Sequence, residues 1–153
     1  MFSSRLSRRR VAKRKGVAAV EFAIVLPVLV VLLFGMIEFS LLFYNKAMLT
    51  NACREGARSG IVFRSNADGD RDPLSAAEIR TIVLNYSGDH MINLGPDTLT
   101  DTDITFDQTG GTGPGDPLTV SAVYHYDFLV LPGFVDSLIG GLDIGARSVM
   151  RME

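Results

Sequence analysis

The sequence is poor in the residue types on which most enzymes depend. Its 153 residues include one cysteine, two histidines and no tryptophan. A single cysteine, Cys53, excludes a disulfide within the chain, and a small buried helix residue is the simplest explanation for it. The histidines, His90 and His125, show no metal-ligand spacing, and no Gly-x-Ser-x-Gly nucleophile motif is present. We therefore predict no enzyme activity, no cofactor and no metal site.

Acidic residues are missing from the first 15 positions, which carry seven Lys and Arg. An apolar run follows, in which the only formal charges are Glu21 and Glu38. As a helix, the uncharged stretch 22–37 is about 24 Å long, and continuing it to residue 44 brings it to about 34 Å, enough for a hydrocarbon core of ~30 Å. Dense positive charge keeps its flank in the cytoplasm. Residues 17–44 are thus predicted to span the membrane once, with the N-terminus cytoplasmic and the C-terminal region outside.

Four kinds of N-terminal segment begin in this way. A cleaved secretory signal requires a small-x-small site after the apolar run, and none is convincing here. The tract Ser7–Lys13 fits a twin-arginine signal loosely, as basic tracts often do by chance. An uncleaved anchor has no need of Gly16 or Glu21. A prepilin-like leader, residues 1–16, cut on the cytoplasmic side after Gly16, accounts for both residues and is the interpretation we prefer.

Three segments resemble the TadE-like family of pseudopilins of the tight-adherence (Flp-type) pilus. The most specific is the start of the apolar run, and the other two are a segment of small residues and arginines and the C-terminal ending. These segments are Gly16-Val17-Ala18-Ala19-Val20-Glu21-Phe22 with Leu26-Pro27, then Ala52-Cys53-Arg54-Glu55-Gly56-Ala57-Arg58-Ser59-Gly60, and finally Ala146–Glu153.

The resemblance implies a structural or assembly component of a pilus, a minor pseudopilin held in the inner (cytoplasmic) membrane or incorporated in the pilus. A prepilin peptidase would cut between Gly16 and Val17. The implied partners are other pilin and pseudopilin subunits, the assembly platform, the peptidase and the lipid bilayer.

Glu21 has a physical argument of its own. A carboxylate in lipid costs at least ~2.5 kcal/mol at a helix centre, although the cost falls near the headgroups, where Glu21 could also simply reach the interface. Cleavage would expose the α-amine of Val17 one turn away, so that Glu21 could pair with the amine of a neighbouring subunit and fix the register of stacked helices. We predict Glu21, Phe22 and Glu38 as subunit-assembly residues. An acid at the outer membrane interface is the simpler explanation for Glu38.

The helix is predicted to continue outside the membrane over residues 45–62. Small residues Ala52, Gly56 and Gly60 share one face and permit close helix packing, either on the chain's own globular domain or on neighbouring subunits. Pro27 is expected to kink the membrane part, because it lacks an N–H donor and clashes with the preceding turn.

Residues 63–153 are predicted to form a small α+β domain with an antiparallel sheet, in a pilin-like plan. Residues 64–73 indicate a loop, and the acidic tract Asp68–Asp72 lacks the glycine and glutamate of a calcium loop. A capping box at Ser75–Glu78 predicts a short helix to about Tyr86, ended by Gly88. Alternation predicts strands at 99–108, 118–128 and 142–152, with an apolar connection at 131–141.

Charge separates the two ends of the chain. The whole chain carries a net −2, whereas the part from Val17 onward has eight basic and 17 acidic side chains, a net −9. This balance argues against nucleic-acid binding. Two other functions stay open: an uncleaved anchor for an extracytoplasmic binding domain, and a membrane-tethered hydrolase, which would need a pocket around His90 or His125.

Overall fold

A long helix followed by a helix and a small antiparallel sheet makes up the fold. The computed structural model describes residues 6–65, 71–93, 97–128 and 140–153. The first helix, α1, runs from Leu6 to Gly60 and contains Pro27 in its interior. The chain divides into two compact units, Met1–Ile37 and Glu38–Glu153, and α1 contributes residues to both. The predicted α+β class is confirmed.

The described part of the first unit is helical, and its side chains from Gly16 onward are almost all exposed. Apolar residues such as Ile24 are 69% exposed. The helix also begins earlier than the predicted mature start at Val17, so the basic tract and the apolar run form one continuous element.

The second unit combines the rest of α1 with a second helix, α2 (Ala76–His90). The predicted capping box is confirmed: the Ser75 N–H donates to Glu78 Oε2 at 2.9 Å, and the Glu78 N–H donates to Ser75 Oγ at 3.3 Å. The predicted end near Tyr86 is wrong. Gly88 continues the helix, which ends where the Met91 N–H donates to the Ser87 carbonyl.

The sheet has three strands, β3 (Ile104–Asp107), β4 (Pro117–Tyr126) and β5 (Leu142–Arg151). They lie side by side in this order, and both pairs are antiparallel. The first strand is shorter than predicted, because Asp101–Asp103 forms a 3₁₀ turn in which Asp103 accepts a hydrogen bond from the Thr100 N–H. Two turn glycines with positive φ, Gly111 and Gly115, lie between β3 and β4, where L side chains are disfavoured.

The core of the second unit lies between the two helices and one face of the sheet. Alternate residues of β4 are buried, as the sequence predicts, and on β5 the burial is confined to its middle. The buried apolar residues are Leu42, Leu49, Ala52, Cys53, Ala57, Leu74, Ile79, Val83, Ile104, Leu118, Val120, Ala122, Tyr124, Tyr126, Ile144, Ala146 and Met152.

Two connections differ from expectation or lie outside the described residues. The ends of the predicted loop 64–73 pair as a short antiparallel ladder, β1 (Arg64–Ser65) with β2 (Arg71–Asp72). The acids Asp68 and Asp70 of the calcium-like tract lie outside the described residues, as does most of the predicted apolar connection 131–141.

Candidate membrane and assembly segment

The exposed part of α1 is long and apolar enough to cross a membrane. Residues 16–37 carry a single formal charge, Glu21, and as a helix they extend for about 33 Å, which matches a hydrocarbon core of ~30 Å. Exposed apolar area on this scale is uncommon in a soluble domain. The segment is therefore compatible with a single-pass membrane protein.

The candidate cleavage residues and two of the three candidate assembly residues lie on this exposed segment. Gly16 and Val17 are consecutive residues within α1, and Glu21 follows Val17 by one helical turn. The side chains of Val17, Glu21 and Phe22 are exposed. Their contacts with the cleaved amine or with another subunit stay predictions, because they require a second chain.

Packing gives no reason for glycine at position 16. An added Cβ there would meet no atom within 4 Å, and the same holds for Gly35. Glycine in a helix interior is about 1 kcal/mol less favourable than alanine. The small residue at position 16 is consistent with a requirement imposed by another protein.

Glu38 has an environment that the sequence did not indicate. Its side chain is fully buried, and the Tyr126 hydroxyl donates to Glu38 Oε1 at 2.7 Å. Burial, together with the hydrogen bond to this carboxylate, raises the pKa of Tyr126. Glu38 therefore packs within the second unit, and its placement at the outer membrane interface or against a partner subunit stays a prediction.

A polar contact between α1 and the end of α2 marks where the helix enters the second unit. Asn45 is fully buried, and its side-chain amide donates to the Ile92 carbonyl at 2.8 Å and accepts from the Ile92 N–H at 2.9 Å. The neighbouring Tyr44 hydroxyl donates to the His90 carbonyl at 3.0 Å. The second unit begins at Glu38, and the membrane boundary between residues 44 and 45 stays a prediction.

The small-residue stripe packs within the chain's own second unit. A Cβ added at Gly56 would lie 2.6 Å from Val83 Cγ2, and one added at Gly60 would lie 2.6 Å from atoms of both Ile79 and Leu118. Ala52, one turn earlier, is fully buried. Of the two packing surfaces left open by the sequence, the structure uses the globular domain.

Cys53 lies beside this stripe and is fully buried. Burial raises the pKa of its thiol to about 11, and its Sγ is 3.9 Å from the Ala146 carbonyl oxygen. Such a thiol is held protonated and is poorly reactive. The expectation of a buried small residue is confirmed.

The histidines do not line either of two cavities in the described part of the chain. One, of about 220 Å³, is lined by Leu84, Ser87, Gly88, Met91, Asn93, Thr98, Leu99 and Tyr124. The other, of about 250 Å³, is lined by Arg64, Leu74, Glu78, Thr81 and Ile82. His90 stacks on Tyr86 with ring centroids 4.3 Å apart, and His125 contacts Asp143. No histidine is among the residues that line these two cavities.

Comparison with known protein families gives a match over residues 16–58 to the family described as TadE-like protein. The match covers the exposed apolar segment and most of the segment of small residues and arginines, and it confirms the resemblance in both. It does not reach the ending at 146–153. This family is associated with the tight-adherence pilus system. Neither a curated protein nor a solved structure matches the chain.

Proposed function

Starting from the TadE-like match over residues 16–58, we propose that this chain is a pilin-like structural subunit of a tight-adherence pilus system. Residues 1–16 form a cytoplasmic leader that a prepilin peptidase removes. Residues 17–37 anchor the mature chain in the inner membrane and later pack against other subunits. The second unit is extracytoplasmic.

The observation that carries this proposal is the contrast within α1 between apolar side chains that are exposed and apolar side chains that are buried. Residues 16–37 leave nearly all their side chains uncovered, whereas Leu49, farther along the same helix, is fully buried. Lipid covers such a surface in the membrane, and neighbouring helices cover it in a filament. A helix that must suit both environments needs apolar side chains around its whole circumference.

Glu21 supplies the specificity that apolar packing lacks. In a bundle of helices its carboxylate would be removed from water, and an unpaired charge is costly in that apolar environment. The α-amine of Val17 in the mature chain, one turn away along the helix, offers the matching positive charge on an adjacent subunit. This pairing would fix the register between subunits, because a misplaced helix would leave both the carboxylate and the amine unpaired.

The test is the N-terminal sequence and intact mass of the protein from native membranes, with and without the candidate prepilin peptidase. We expect a start at Val17 that depends on the peptidase. A chain that retains residues 5–16 in both samples would contradict processing and favour an uncleaved anchor for a binding domain.

Assembly is tested separately from processing. Glu21→Val is expected to be cleaved and inserted normally but to be poorly incorporated into pili, measured as the ratio of this subunit in sheared pili to that in membranes. Glu21→Asp is the matched control, because it keeps the charge. Normal incorporation of Glu21→Val would refute the pairing of Glu21 with an amine.

A further inference from the structure

The end of β4 and the start of β5 bring together a histidine and three carboxylates. His125 on β4 is in register with Asp143 on β5, and Asp127 follows directly after β4. The third acid, Asp97, comes from the chain between α2 and the 3₁₀ turn. One ligand atom from each of Asp97, His125 and Asp127 can be chosen so that all three lie within 4.8 Å of one another.

The hydrogen bond of His125 leaves one ring nitrogen available. Nδ1 lies 2.6 Å from Asp143 Oδ1, and a carboxylate can only accept, so Nδ1 carries the proton. In a neutral ring Nε2 then presents its lone pair, and it lies 3.8 Å from Asp127 Oδ1. A metal-binding histidine commonly donates its other ring N–H to a carboxylate, which orients the ring.

Asp127 gives a second, independent indication. Its Oδ2 atom is buried and has no hydrogen-bond partner among the described residues. A buried carboxylate oxygen without a partner is costly and calls for an explanation such as an ion. Its other oxygen, Oδ1, is the one near His125, so a cation bound by both oxygens of this carboxylate would compensate Oδ2.

The surrounding residues fix the positions of these groups. The Asp97 carbonyl accepts from Asn93 Nδ2 at 2.7 Å and from the Tyr124 hydroxyl at 3.3 Å. A Cβ added at Gly141 would collide with the His125 ring, so the glycine leaves the ring its space. The site is therefore supported from three segments of the chain.

We propose that Asp97, His125 and Asp127 bind a divalent transition-metal ion, with Asp143 orienting the histidine. The ligand set of one imidazole and two carboxylates suits Zn²⁺, whereas Ca²⁺ and Mg²⁺ prefer oxygen ligands alone. Two ligand atoms of tetrahedral zinc lie about 3.4 Å apart at bond lengths of ~2.1 Å, close to the observed separation of His125 and Asp127. The ion would join the ends of β4 and β5 to the segment around Asp97.

The sequence could not indicate this site, because its ligands are not in a metal-binding spacing. His125 and Asp127 are separated by one residue, but Asp97 lies on a different segment and is placed beside them only by the fold. The proposal is independent of pilus assembly and of cleavage after Gly16.

Zinc titration of the full chain in detergent, without a polyhistidine tag, tests the proposal by isothermal calorimetry and by thermal unfolding. We expect one Zn²⁺ per chain and a higher Tm in its presence, with little response to Mg²⁺. His125→Gln and Asp127→Asn should abolish this binding. Asp143→Asn should weaken it by roughly 10- to 100-fold.

His90→Gln is the matched control, because it removes the other histidine of the chain and leaves the cluster intact. It should bind zinc as the wild type does. The proposal is overturned if the wild type binds no Zn²⁺, or if His125→Gln binds it with unchanged affinity. Because the ligand side chains are at least partly exposed, these variants are expected to fold, and their Tm without zinc checks this.

Discussion

The two parts of α1 in the two units differ in nearly every physical respect. In residues 16–37 the apolar side chains and the acid are exposed, and the glycines have free space around them. In residues 38–60 one face of the helix is buried, including Leu42, Leu49 and Ala57, Glu38 accepts a hydrogen bond, and Gly56 and Gly60 allow close contact. The same residue types therefore form an exposed apolar surface in one part of α1 and a packed core in the other, and only their surroundings distinguish the two parts.

Replacing leucine by alanine should give the largest difference in stability between the two parts of α1. Leu49→Ala is expected to lower the free energy of unfolding by about 2–5 kcal/mol, because it leaves a cavity between packed elements. Leu32→Ala, the same change at a 57% exposed position, should change it by less than about 0.5 kcal/mol. Denaturant unfolding of the full chain in detergent measures both, and equal losses would contradict the division of α1.

Replacing glycine by alanine tests the same difference between the two parts of α1, because it adds a methyl group to the helix surface. Gly60→Ala should destabilise by about 1–3 kcal/mol, since its methyl group would overlap Ile79 and Leu118. Gly35→Ala has open space and should stabilise the helix by up to about 1 kcal/mol. If both variants lost stability equally in the same unfolding measurement, the tight contact at Gly60 would be refuted.

Local sequence patterns predict much of the fold, and the features that they fail to predict can be named. Alternation placed β4 and its buried face, and the Ser75–Glu78 box placed the start of α2. The start of the second unit at Glu38 could not be predicted, because the apolar composition continues through Leu41–Tyr44. The second unit is marked there by the contact between Glu38 and Tyr126, which are 88 positions apart. No local pattern reports such a pairing.

The buried acid supplies a third test. Tyr126→Phe removes the donor to Glu38 and leaves that carboxylate without this bond, which should cost about 1–3 kcal/mol. Tyr44→Phe removes an exposed hydrogen bond and should cost less, about 0.5–1 kcal/mol. If the two variants were equally stable at neutral pH, Glu38 would not depend on Tyr126.

The same variant has a characteristic pH dependence. Because the pKa of Tyr126 is raised in the folded protein, the folded state keeps a proton that the unfolded state releases. Its contribution is complete below the ordinary tyrosine pKa of ~10 and is lost as the pH rises above it. Tyr126→Phe should therefore lose stability less steeply than the wild type above pH ~10, measured by urea unfolding across this range.

Among the changes at fully buried positions, the smallest effect is expected at Cys53. Cys53→Ala removes about one buried methylene equivalent, near 0.8 kcal/mol. The pKa of the thiol is raised to about 11, so its contribution is complete below the ordinary pKa of about 8.5 and is lost as the pH rises through 11. Labelling by a thiol reagent should be slow in the folded wild type and fast when Val149→Cys is combined with Cys53→Ala, because position 149 lies in the second unit and is 55% exposed. Rapid labelling of the folded wild type would show that the second half of α1 opens readily, and would remove the difference between the two halves.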